Sequence, residues 1–145
     1  MNYEIVELKE KIVAGISANT SNEDPKMGEI IGKLWMDLYT GGISAQIKNK
    51  VNQFSIGLYS DYNENGYQVT VGHEVSTPQE GVAIKRIPAG KYAKFFITGN
   101  MQKAVADAWG EIWGMELDRS YAADFEEYLN ADCENAEINI YIALN

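Results

Sequence analysis

The stretch FSIGLYSDYNENGYQVTVGHEV, residues 54–75, decides how the chain is read. Residues 54–62 and 67–75 alternate apolar and polar side chains with the period of two that marks a strand. Between them lies Asn63-Glu64-Asn65-Gly66, and Asn-Gly is a strong hairpin signal. Working outward, YEIVELKEKIVAGISA (3–18) reads as two more strands around a charged turn at Lys9-Glu10-Lys11. A helix separates the two strand pairs. Met27, Ile30, Ile31, Leu34 and Leu38 recur at helical spacing, Asp24 is placed to cap the N-terminus, Pro25 suits the first helical position, and Gly41-Gly42 ends the run.

The order then repeats. GVAIKRIPAGKYAKFFITG (81–99) is again strand, turn and strand, with Pro88-Ala89-Gly90 at the turn. A helix is expected over about 101–117, with Met101, Val105, Ala108, Ile112 and Met115 on one stripe. Two strands close the chain, around 124–129 and at EINIYIAL (137–144). Trp35 and Trp109 fall at similar places in the two helices. The expectation is an α+β fold in one domain, residues 1–145. It is built from two units, each reading strand-strand-helix-strand-strand, an internal repeat of approximately 1–78 and 79–145, forming an antiparallel sheet with two main helices on one face.

Alternation assigns faces. Phe54, Ile56 and Leu58 share one face of their strand. Tyr67, Val69, Val71 and Val75 share one with His73, as do Ile138, Ile140, Ile142 and Leu144, and Phe125 and Leu129. Taking these as core leaves Tyr59, Glu74, Glu126, Tyr128 and Tyr141 on the other side. Acids among tyrosines suit an aromatic cation, through charge pairing and cation–π contact. Glu127, on the side of Phe125, then has to sit at a strand end where water reaches it.

Composition narrows the function. The 21 acids against 12 bases give a net charge of −9, which disfavours direct nucleic-acid binding and favours a neutral or cationic partner. Cys133 is alone, so neither an intramolecular disulfide nor a cysteine-rich zinc site is expected; no metal or other cofactor is implied. No apolar run approaches the roughly 20 residues of a membrane span, and no signal peptide opens the chain, so the expected location is cytoplasmic. Neither a Ser/His/Asp order nor a phosphate-binding glycine loop is present.

The phrases LYSDY (58–62), YQVTVGHEV (67–75), IPAGKYAKFFITG (87–99), WGEIW (109–113) and DFEEY (124–128), in this order, resemble the GyrI-like effector-binding family. That family includes ligand-binding domains of AraC-type and MerR-type multidrug regulators and stand-alone integron-associated relatives. The resemblance implies duplicated strand-helix-strand-strand units with a pocket between the two pseudo-symmetric halves that takes hydrophobic, often cationic small molecules. It also implies that Glu126, within Phe125-Glu126-Glu127-Tyr128, meets the ligand. Ile87, Pro88, Ala89, Gly90 and Tyr92 match a second motif, and Trp109 a third. Because a strand begins by about residue 3, no DNA-binding segment is expected, and any regulatory role passes through a separate regulatory protein.

The candidate ligand-binding set is therefore Glu126, Tyr128, Trp109, Tyr92, Tyr59, Phe96, Glu74 and Tyr141. For Trp109, core and pocket wall both stand open; Trp113 and His73 are expected in the core. A second reading is a small hydrolase of reactive hydrophobic compounds with Glu126 as general base. A third is a protein-interaction or inhibitory module acting through the acidic surface.

Overall fold

The computed structural model describes all 145 residues. Its elements run β1 (Glu4–Leu8), β2 (Lys11–Thr20), α1 (Met27–Tyr39), α2 (Ile43–Gln46), β3 (Ser55–Asn63), β4 (Gly66–Val75), β5 (Ala83–Ile87), β6 (Gly90–Gly99), α3 (Met101–Trp113), β7 (Arg119–Tyr128) and β8 (Ala136–Leu144). The strands form one antiparallel sheet in the order β1-β6-β8-β7-β3-β4-β2-β5. Exchanging each strand of the first half with its counterpart in the second reverses this order without otherwise changing it. A two-fold axis between β3 and β7 produces that pattern, so the duplicated α+β architecture is present.

Short connections shape the sheet. Only Lys9 and Glu10 join β1, at one end of the order, to β2, seventh in it; only Pro88 and Ala89 join β5 at the far end to β6. Laid flat, eight strands would span roughly 34 Å at about 4.8 Å per strand. A link of two or three peptide units reaches about 10 Å. The sheet must therefore roll until its ends meet. Gly15 and Gly72 lie directly opposite each other in β2 and β4, and a Cβ on either would sit 1.9 Å from Val71 O or 2.0 Å from Ala14 O. No rotamer relieves a clash with backbone. Gly15→Ala is expected to cost about 3 kcal/mol, seen as a lower urea midpoint at unchanged slope; an unchanged midpoint would mean that the two strands separate freely here.

Rolling buries both faces of the sheet. One face packs Val13, Ile56, Leu58, Ile87, Tyr92, Ala123, Phe125, Tyr141 and Ala143 together. The other is covered by helices: Leu34 and Leu38 of α1 lie over Val69, Val71 and Val75, and Ala108 and Ile112 of α3 over Phe95, Ile138, Ile140 and Ile142. The single core side expected from alternation is thus two. Ile56, Leu58 and Phe125 belong to one face, Val69, Val71 and the β8 isoleucines to the other. Phe125 pairs with Tyr141, whose ring stacks on it at 4.5 Å, so Tyr141 faces away from Glu126. Glu74 pairs with Val13, also on the opposite face from Glu126.

Smaller corrections concern ends. Helix α1 starts at Met27, because Asp24 instead closes a turn by accepting from Lys26 N at 2.8 Å. Helix α3 stops at Trp113, where Gly114 N turns back to Glu111 O, and is capped by Asn100 accepting from Lys103 N. Trp113, expected in the core, is exposed. Glu127, expected to reach water, is buried and accepts from Asn139 Nδ2 at 3.0 Å. No helix is long and apolar enough to cross a membrane.

Candidate functional site

The site lies on the helical face, where β3 and β7 run side by side at the two-fold axis. In register, Gly57 faces Glu126 and Ser55 faces Tyr128. Matching Ile56-Gly57-Leu58-Tyr59 to Phe125-Glu126-Glu127-Tyr128 relates Tyr59 to Tyr128, and Gly57 to Glu126. One half of the axis therefore supplies a carboxylate and the other an empty space. That space is used: a Cβ on Gly57 would meet Glu126 Oε1 at 3.2 Å and the Trp35 ring at 3.3 Å.

Glu126 is 2% exposed. Its Oε2 accepts from Trp109 Nε1 at 2.7 Å and Tyr59 OH at 3.2 Å, and its Oε1 from Tyr128 OH at 2.6 Å. Trp35 crosses Tyr128 edge-on at 5.2 Å, and Tyr59 crosses Trp109 at 5.6 Å. All three donors are neutral, and no lysine or arginine pairs with this carboxylate. Burial raises the Glu126 pKa, although the bonds from Tyr128, Trp109 and Tyr59 pull it down. Burial, followed by the nearby Glu126 charge, also raises the phenol pKa values of Tyr59 and Tyr128.

Above these rings opens a cleft of about 750 Å³ between α1, the β3–β4 hairpin and α3. Met27, Ile31, Val105 and Trp113 give it an apolar lining with Tyr59 and Trp109; Glu23 and Glu64, both exposed, stand at its rim. Glu126 is not on the wall. It lies behind Tyr59 and Trp109, which are on the wall and bonded to it.

Of the residues singled out from sequence, the structure brings together Glu126, Tyr128, Trp109 and Tyr59. Tyr92 lies inside the roll, its hydroxyl donating to Pro88 O at 2.6 Å and its pKa pushed up by burial to about 12. Tyr141 is beside it, likewise pushed up to about 12 by burial. Phe96 is exposed and pairs with Asn139 on that same opposite face, and Glu74 is bonded to Lys11 Nζ at 3.3 Å. His73 is buried: Nδ1–H donates to Phe54 O and Nε2 accepts from Ser44 Oγ, both at 2.8 Å, while burial lowers its pKa and keeps it neutral. Trp35, Gly57, Tyr62, Tyr67, Arg119 and Tyr121 also build the site or its cleft. Laying one half of the sequence on the other finds Gly57 and Trp35. Tyr67 follows the alternation of β4 but reads there as core, and Tyr62, Arg119 and Tyr121 depend on bulges that alternation does not register.

A sequence profile of the integron-associated effector-binding protein family matches residues 4–144. No match was found among curated proteins. Among solved structures, an integron cassette protein from Vibrio cholerae shares 28% identity over 99% of this chain and 95% of its own, with a TM-score of 0.75. SAV2435, solved bound to tetraphenylphosphonium, is 19% identical over 100% and 94%, with a TM-score of 0.84. A Staphylococcus aureus protein described as a putative bacterial transcription regulation protein is 20% identical over 98% and 97%, with a TM-score of 0.80. At these identities the last two likenesses are of fold. The profile match spans nearly the whole chain, and the chain belongs to the integron-associated effector-binding protein family.

Proposed function

We propose that the effector is a lipophilic aromatic cation, held in the cleft with Glu126 as its counter-ion. The observation that carries this is a carboxylate 2% exposed, bonded to three neutral donors and paired with no cation. An isolated buried charge is costly, and a positive ligand removes most of that cost. Tyr59 and Trp109 join the two charges. By donating to Glu126 they become more electron-rich, which strengthens the attraction of these wall rings for a cation. Glu23 and Glu64 at the rim favour the same sign of ligand. The tetraphenylphosphonium complex of the similarly folded SAV2435 supports the same class of ligand. The arrangement favours holding over hydrolysis, because both Glu126 oxygens already accept hydrogen bonds and water has almost no access.

Binding is then linked to a proton. The raised pKa means that part of the protein carries a protonated Glu126 at mildly acidic pH, and the cation must expel that proton. Affinity for tetraphenylphosphonium is expected to rise with pH until Glu126 is fully ionised. Calorimetry in buffers of differing ionisation enthalpy should report proton release below that point. Heats independent of the buffer throughout the acidic range would contradict the linkage.

Gly57 sets the room available to the carboxylate. Gly57→Ala pushes against both Glu126 and Trp35, and is expected to weaken the cation severalfold at a stability cost of about 1 kcal/mol. Fluorescence titration and urea unfolding of the same sample check the two parts together.

A further inference from the structure

The cleft wall also holds a cation of the protein's own. Arg119 lines it, with a side chain only 13% exposed. A guanidinium has five N–H donors. Here a single hydrogen bond is made, from Nη2 to Asp124 Oδ2 at 2.6 Å; Nε is sealed from solvent with no hydrogen-bond partner. Buried donors are seldom left this way in folded proteins.

The local backbone explains how the group is aimed. β3 shifts register between Ser60 and Asn63, and β7 between Arg119 and Asp124. Asp61 and Tyr121 lie on these two bulges with φ of 54° and 58°, a conformation that is strained for residues other than glycine. The β7 bulge turns Tyr121 onto Arg119, ring to guanidinium at 4.3 Å, and Tyr62 meets Tyr121 at 5.7 Å. Strained bulges on neighbouring strands, set around an under-used donor at a cleft wall, mark a place that binds something.

We infer that Arg119 is a second, specificity-determining contact, and that the effector carries a neutral hydrogen-bond acceptor of the carbonyl or amide type at the end away from its cationic rings. The sign of the group follows from charge. Asp124 already balances Arg119, and Glu23 and Glu64 stand on the same cleft, so a carboxylate or phosphate on the ligand would be repelled while a neutral carbonyl is not. Against β8, Arg119 stands opposite Leu144 and Glu126 opposite Ile140, only four residues apart and so about 13 Å along the strand, and the acceptor sits on a short tail rather than on the rings. The inference rests on the reading of Glu126 as counter-ion for the cationic end.

The test uses alkyltriphenylphosphonium ions with tails of graded length, each with and without a terminal carboxamide. Neutral carbon-centred isosteres carrying the same tails accompany them. Arg119→Lys is the variant, since it keeps a charge for Asp124 but loses the planar donor fork. At the best tail length the carboxamide should improve affinity about tenfold in the wild type, a charge-assisted hydrogen bond's worth, and by little in Arg119→Lys. The neutral isosteres should show the same Arg119 dependence and be indifferent to Glu126→Gln. A carboxamide advantage that is absent, or equal in both proteins, overturns the inference. Failure of the plain cation to distinguish wild type from Glu126→Gln overturns the counter-ion reading instead.

Discussion

Glu126→Gln is expected to stabilise the free protein while weakening its hold on a cation. Replacing a buried group normally destabilises, so the direction is diagnostic. In the unfolded chain a glutamate ionises near its ordinary value of 4.5; in the folded protein burial raises that pKa. Between the two, the folded state keeps a proton that the unfolded state has lost. The unfolded state therefore binds fewer protons, and stability falls as pH rises through this window. Each unit of separation is worth about 1.4 kcal/mol. Above the folded pKa the whole cost is present, and the amide removes it. The substituted amide can still present its oxygen to Trp109 and Tyr59, while Tyr128 OH turns to accept from its NH₂. The variant's melting temperature at pH 8 should exceed the wild type's by several degrees, about 2–4 °C per kcal/mol at this size. The gap should close towards pH 4. A variant less stable than wild type at pH 8 would show that the carboxylate is held comfortably without a ligand.

Asp124→Ala should do the opposite, and on a larger scale. Asp124 is fully buried and accepts from Tyr62 OH at 2.6 Å, Arg119 Nη2 at 2.6 Å and Ala143 N at 3.0 Å. It ties the β7 bulge to β8 and to the hairpin strand β3. Removing it strands a mostly buried guanidinium, a phenol and a backbone N–H, a loss of about 3–5 kcal/mol. Urea unfolding should show the midpoint falling by that amount. In Asp124→Ala combined with Arg119→Met the loss should be much smaller than the two single losses added, because no charge is left unpaired. Additive losses would mean that the pair is not a unit.

These two acids show what the sequence could tell and where it stopped. Strand parity correctly separates Glu126 from Glu127, and it groups Tyr59 with Gly57 and Tyr128 with Glu126. Parity does not say which face of one strand joins which face of the next. Ile56 and Val69 both look like core residues and both are, but on opposite sides of a sheet rolled by its two-residue links. Assuming a single core side therefore carries Glu74 and Tyr141 to the wrong face of the sheet relative to Glu126. Tyr92 and Phe96 fall on that same far face. Trp113 lies beside the apolar stripe of α3 rather than on it, and it lines the cleft with most of its surface exposed. Asp124 and Arg119 are hidden for another reason: their meeting depends on a bulge that breaks the alternation the reading relies on. The repeat is the most informative signal. Taken residue by residue, it makes Gly57 the counterpart of Glu126, and the register of β3 on β7 then sets the two opposite each other on the axis where the site is built.

The most direct measurement of the central claim is the affinity of tetraphenylphosphonium and of its neutral carbon isostere for wild type and Glu126→Gln at pH 8, followed by tryptophan fluorescence. With Glu126 as counter-ion, the cation should lose at least about tenfold, or 1.4 kcal/mol, in the variant while the neutral isostere changes little. Equal cation affinities in the two proteins would contradict it.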